Sequence, residues 1–199
     1  MRPPYVEITA CAGARFVGLK MAMNLAHHLL IRSAIDHYAT GRYAVFAGLN
    51  PTAGNLLHHA VEMCLKGALA KKGKSTADLK ELRHELPGIW KEFKSQYPHH
   101  LDSFDPTIRG LHQFAEIRYP DQIAAQGMLS EIGRGKKPPL SEPPSHPRKV
   151  PSRLYLGEID ELIGKVLAVG SFSPADYAST LSPEARKYLL EENDALKLG

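Results

Sequence analysis

The sequence predicts an all-α protein, an up-and-down bundle of four to five helices followed by short C-terminal helices. Three observations carry that prediction. Apolar residues recur at strides of three and four over long segments, the period that lines one side of a helix. Asn-Pro, Asp-Pro and Ser-Pro pairs stand where several of those segments begin, and Gly or Pro stands where they stop. Strand-like alternation persists only over Tyr5 to Thr9, and no repeat of fixed length is visible.

The first helix is marked by Phe16, Leu19, Met23, Ala26 and Leu30, continues through Ala34 and Tyr38, and is expected to stop at Gly41. The second follows Asn50-Pro51, with Asn as the expected cap and Pro at the first helical position. It carries Leu56, Leu57, Ala60, Val61, Cys64, Leu65, Ala68 and Leu69, and ends at Lys71-Lys72-Gly73, where basic residues and a glycine suit a C-terminus. Leu79 to Phe93 repeats the helical spacing, but Pro87 disfavours helix at Leu86, so a short helix before His84, a break and a longer helix near Pro87 are expected. Asp105-Pro106 announces a helix with Ile108, Leu111, Phe114 and Ile117, ended by Pro120. Six prolines between Gly133 and Pro151 forbid regular helix there. Leu154 to Leu167 form a last long helix, and Ser173-Pro174 and Ser182-Pro183 open short ones. The chain thus divides into a bundle over 16–132 and 153–170, a proline-rich basic loop over 133–152, and short helices over 171–199.

A chain of 199 residues with 43% hydrophobic and 23% charged residues can bury a core without disulfides or metals. No run of 18 apolar residues exists, so no membrane partner is expected. The formal charge of +4 is too small to demand nucleic acid by itself, although ten histidines make the surface more basic as pH falls. The two cysteines, Cys11 and Cys64, suggest a reducing compartment with no disulfide, and Arg15 interrupts the weakly apolar start that a signal peptide would need. A cytoplasmic location is the expectation.

Several fragments together resemble a known family. The helix from Leu56 to Leu69, with Glu62 followed by Lys66-Gly67-Ala68, resembles the second helix of HEPN domains. His84-Glu85-Leu86 resembles the His-Asp-Leu entry to that family's third long helix, and Ile117-Arg118-Tyr119-Pro120 resembles an Arg-Tyr-Pro ending found in some members. The resemblance implies a helical bundle that pairs into a homodimer and serves nucleotide binding, RNA cleavage or microbial conflict. Ribonucleases of the family carry an Arg, then four to six residues, then a His, late in the bundle. This chain departs from that pattern: Arg118 is followed by Tyr119 to Ala125 without a histidine. The spacing occurs only at Arg32 and His37, in the first helix, where five residues place the side chains about 140° apart.

The candidate ligand-binding residues are Glu62, Lys66, His84, Arg118 and Tyr119. Glu62 and Lys66 stand i,i+4 with the acid first, the favourable order for a helical ion pair. If His84 and Arg118 join them, Lys66 and Arg118 would hold a phosphate while His84 bonds the anion or moves a proton. The same residues would equally serve as a buried polar network that organises the break at Leu86-Pro87. Histidines also occur adjacently at 27–28, 58–59 and 99–100, but neighbours on a helix diverge by about 100°. His59 and Glu62 reverse the Glu-x-x-His order of bundle metal sites, and neither His-Glu-x-x-His nor Cys-x-x-Cys is present, so no metal is expected. Phosphate-loop, dinucleotide and hydrolase-elbow motifs are absent, and no cofactor is expected. Lys136, Lys137, Arg148, Lys149 and Arg153 make the proline-rich loop basic, as a solvated connector or as a contact for a phosphate backbone. Three functions remain: a non-catalytic module that dimerises and binds a nucleotide, RNA or a protein partner; a ribonuclease using Arg118 and His84; and a structural interaction protein.

Overall fold

The computed structural model describes residues 11–97, 100–116, 131–136 and 154–196. Among these it is a helical bundle: α1 (Cys11–Phe46), α2 (Asn50–Lys71), α3 (Thr76–Glu81), α4 (Leu86–Gln96), α5 (Asp105–Glu116), α6 (Leu156–Val169), α7 (Pro174–Ala178) and α8 (Pro183–Arg186). Two short strands, β1 (Ile132–Gly133) and β2 (Leu154–Tyr155), pair in parallel. The alternating stretch Tyr5–Thr9, most of the proline-rich loop, His99, Pro120, and the candidates Arg118 and Tyr119 lie outside the described residues.

The first helix runs past Gly41, where the sequence suggested a stop. A Cβ at Gly41 would lie 2.9 Å from Leu57 Cγ, so this glycine admits α2 rather than ending α1. The stop comes at Gly48, whose φ of +77° only a glycine adopts easily. There the Leu49 amide donates to the Ala44 carbonyl and the Gly48 amide to Val45, closing the helix with a Schellman motif. The Leu49 carbonyl then accepts the first bond of α2, from Ala53. One residue serves both helices, which is why Asn50 is already helical and does not act as the cap.

α2 is the central element. Leu57, Ala60, Val61, Cys64, Leu65, Ala68 and Leu69 are all buried, with α1 on one side and α4, α5 and α6 on others. Cys64 has no disulfide partner, and burial pushes its thiol up to about 12, which keeps it protonated and inert. α3 and α4 form with the expected break between them, but Leu86, expected to resist helix before Pro87, is already the first residue of α4. Pro87 sits in the first turn, where its missing amide donor is not needed. Ser75 and Asp78 make a reciprocal capping box, and Arg83 turns the chain with a φ of +48° before α4. α4 buries Leu86, Ile89, Trp90 and Phe93. Asp105 lies inside α5, preceded by a single turn at Asp102–Phe104; its carboxylate accepts from Trp90 Nε1 at 2.7 Å and Lys94 Nζ at 2.9 Å, which fastens α5 to α4.

The strand pair was not legible in sequence, because two residues per strand are too few to show an alternating pattern. Leu154, expected in the last long helix, instead pairs with Ile132, and α6 starts two residues later. Of the two short terminal helices, Ser182 caps its own by accepting from the Ala185 amide, whereas Ser173 makes no side-chain cap. A wide turn at Lys187–Glu191 then folds back onto α1.

That return is held by a buried polar cluster. Arg42 pairs with Asp160 of α6 and donates to the backbone carbonyls of Tyr188, at 2.7 Å, and Glu192, at 2.5 Å. Tyr38 donates to the other Asp160 oxygen at 2.5 Å and accepts from Asn193 Nδ2 at 2.7 Å. Burial and the Asp160 charge raise the Tyr38 phenol well above its ordinary value, so it keeps its proton and remains a donor. Removing the guanidinium leaves the carboxylate buried without its counter-charge. Arg42→Met is expected to cost about 3–5 kcal/mol, and Tyr38→Phe about 1 kcal/mol. Urea denaturation of the two variants checks the order; a smaller loss for Arg42→Met than for Tyr38→Phe would show that the ion pair does not hold the C-terminal segment.

Candidate functional site

Glu62 lies fully buried on α2, facing the turn between α3 and α4. Burial of a carboxylate is costly unless donors surround it, and here they do. Lys66, one helical turn on, places Nζ 2.8 Å from Oε1 and donates again to the Arg83 carbonyl at 2.5 Å. His84 brings Nδ1 to 2.9 Å from Oε1 and 3.1 Å from Oε2. His59, i−3 on the same helix, places Nδ1 3.6 Å from Oε2. Burial alone would raise the Glu62 carboxyl, but the bonds from His59, Lys66 and His84 and the Lys66 charge outweigh it and hold it down at about 2.

An ionised carboxylate can only accept, so the His84 proton in contact with it sits on Nδ1. In the neutral ring this leaves Nε2 as the acceptor, on a side chain that is 73% exposed. The sequence paired Lys66 with a phosphate; the fold turns Lys66 inward, where its bonds to Glu62 and to Arg83 fix the left-handed turn. Lys66 and Glu62 thus form the polar network at the helix break, and His84 is the member of the expected set that reaches the surface.

More imidazoles gather here than the sequence singled out. The His59 ring is 5.8 Å from His37 of α1, 6.3 Å from His84 and 5.6 Å from His58. His58 is 6.4 Å from His112 of α5, whose Nε2 is 3.4 Å from Glu85. Four elements of the bundle therefore bring five histidines to one seam. Spacing relates His58 and His59 to Glu62, but His37 and His112 come from other helices and carried no local signal. Arg32 and His37 do not converge: Arg32 pairs with Asp36, while His37 donates to the Ser33 carbonyl and faces the cluster.

His58, His59 and Glu62 each bring one ligand atom to within 4.8 Å of the others. Two imidazoles and a carboxylate are a donor set for first-row divalent ions. The Lys66 ammonium already balances the Glu62 charge, so an ion would share the carboxylate with it. Of the basic loop residues, Lys136 stands largely in solvent and pairs with Glu161 at 2.5 Å; nearby Arg134 donates to the Phe46 carbonyl. Lys137, Arg148, Lys149 and Arg153 lie outside the described residues. Among the described residues no helix is long and apolar enough to cross a membrane.

No protein-family model, curated protein or solved structure matches the chain.

The low Glu62 value has a pH consequence. A carboxyl that ionises more readily folded than unfolded stabilises the fold above its ordinary value of 4.5, and that stabilisation is lost as pH falls towards about 2. A shift of this size corresponds to about 3 kcal/mol. Urea denaturation between pH 5 and pH 2 should show the wild type losing about 3 kcal/mol more stability than Glu62→Gln; parallel curves would mean that the carboxylate is not held by these donors.

Proposed function

We propose that the chain is a HEPN-like helical module that pairs with a second copy and binds a phosphate-bearing ligand, a nucleotide or RNA, at the histidine seam above Glu62. One observation supports the reading most directly: His37, His59 and His84 stand in series, the first pair tilted and the second edge to face, with the outermost ring mostly exposed. Imidazole N–H groups donate well to a phosphate, and the exposed Arg83 lies beside His84. Glu62 and Glu85 oppose an anion, but Lys66 neutralises Glu62 and His112 faces Glu85.

A second reading has its own observation. The Glu62–His84 pair has the form of a carboxylate that orients an imidazole for general base work, with Nε2 presented to solvent. On that reading Nε2 takes the proton of a 2′-hydroxyl, the 2′-oxygen bonds to the adjacent phosphorus as the P–O5′ bond breaks, and the 5′-oxygen leaves with a proton from water, giving a 2′,3′-cyclic phosphate.

Fluorescence anisotropy with a short single-stranded RNA and with a nucleoside triphosphate tests the first reading. Binding is expected to weaken with added salt. His84→Ala and His59→Ala should each reduce it while circular dichroism stays unchanged. Binding that ignores salt, or survives both substitutions, would place the ligand elsewhere. Cleavage of the RNA by wild type but not by His84→Ala would favour the ribonuclease.

A further inference from the structure

Between Leu25 and Tyr43 the outer side of α1 carries an apolar stripe. Leu25 is 59% exposed, Leu29 60% and Tyr43 53%. Leu25 and Tyr43 are eighteen residues apart, five full turns, so they share one line along the helix about 27 Å apart. Arg32 and Asp36, both partly exposed and paired at 3.5 Å, lie between them. Position 34 is the midpoint of both pairs, so the stripe reads apolar, basic, acidic, apolar about one centre.

Such an order is self-complementary. A second α1 laid antiparallel, with a two-fold axis beside residue 34, sets Arg32 of each copy against Asp36 of the other. The same operation sets Leu25 of each copy against Tyr43 of the other. The far end of the stripe holds a cavity of about 250 Å³ with an apolar wall of Ala39, Tyr43, Ala185 and Tyr188 and a polar edge at Ser182 and Glu184. Tyr43 and Tyr188 stand edge to face at 5.4 Å along one side of it. Leu25, and Leu29 one turn on, are at the right end of the opposing helix to fill that space.

We infer that this stripe is an isologous interface with a second copy of the chain, closed by two reciprocal Arg32–Asp36 ion pairs and by leucines in the Tyr43–Tyr188 groove. The inference rests on the pairing proposed above and assigns it a face. The histidine seam lies on the other side of α1, where His37 points to α2, so pairing through this stripe leaves the seam open.

Sedimentation velocity at micromolar concentration tests it with the full chain. Wild type is expected to be a dimer. Arg32→Asp places four acids across the axis and Asp36→Arg four bases, so each variant alone should dissociate at least tenfold more readily. Mixed one to one, the two variants should pair, because every contact across the axis is then between opposite charges. Leu25→Asp should give a monomer with unchanged helical circular dichroism. A monomeric wild type would overturn both the interface and the proposed pairing. Variants that dimerise as well as wild type would overturn this interface and leave pairing through another face. Failure of the mixture to recover would also overturn it, since folding losses alone predict no recovery.

Discussion

The close approach of α1 and α2 is the constraint on which the rest of the structure depends. It is permitted by two glycines. Gly41 on α1 lies against Leu57, and Gly67 on α2 lies against Ile31, where a Cβ would come within 2.7 Å of the isoleucine Cδ1. Without side chains at these positions the two helices meet along nearly the full length of α2 and exclude water from Ile31, Ile35, Tyr38, Leu57, Val61 and Leu65. Apolar burial on this scale offsets the entropy lost by ordering two long helices. The remaining helices then have a surface on which to pack, and α2 is covered on its other sides by α4, α5 and α6.

Two carboxylates are carried into that interior, and each dictates a chain path. Glu62 takes Lys66 and His84 as partners, and Lys66 in turn holds the Arg83 carbonyl, so a buried carboxylate sets where α3 stops and α4 starts. Asp160 takes Arg42 and Tyr38, and Arg42 holds two carbonyls of the C-terminal segment, so a second carboxylate sets where the chain returns. Both networks are physically alike: a desolvated charge is tolerable only when its partners are fixed, and fixing them specifies the fold. They differ in access. The Arg42–Asp160 pair is buried at the floor of a surface cavity, whereas His84 carries the Glu62 network out on a mostly exposed side chain. That difference, rather than composition or net charge, directs attention to the histidine seam.

Much of the bundle was legible because helix formation leaves a local record. The three-to-four stride located α2, α4 and α6 and most of α1; Gly73 marked the end of α2, and Pro87 the neighbourhood of the start of α4. Gly41 misled for a physical reason: a glycine that ends a helix and a glycine that admits another helix look the same in one dimension. Asn50 misled because Leu49 closes one helix and opens the next, leaving no place for a cap. The strands at Ile132 and Leu154 are too short to leave a periodic signature.

For the candidate site, spacing alone determined that Glu62 and Lys66 would pair and that Arg32 and His37 would diverge, since both follow from the angle per residue along one helix. Only the tertiary structure decided that Lys66 turns inward, that His37 and His112 join His58, His59 and His84 from separate helices, and that Arg42 meets Asp160 across 118 positions of chain. Those outcomes depend on how helices rotate and cross once their apolar sides are buried, and no local property of the sequence encodes a rotation between elements.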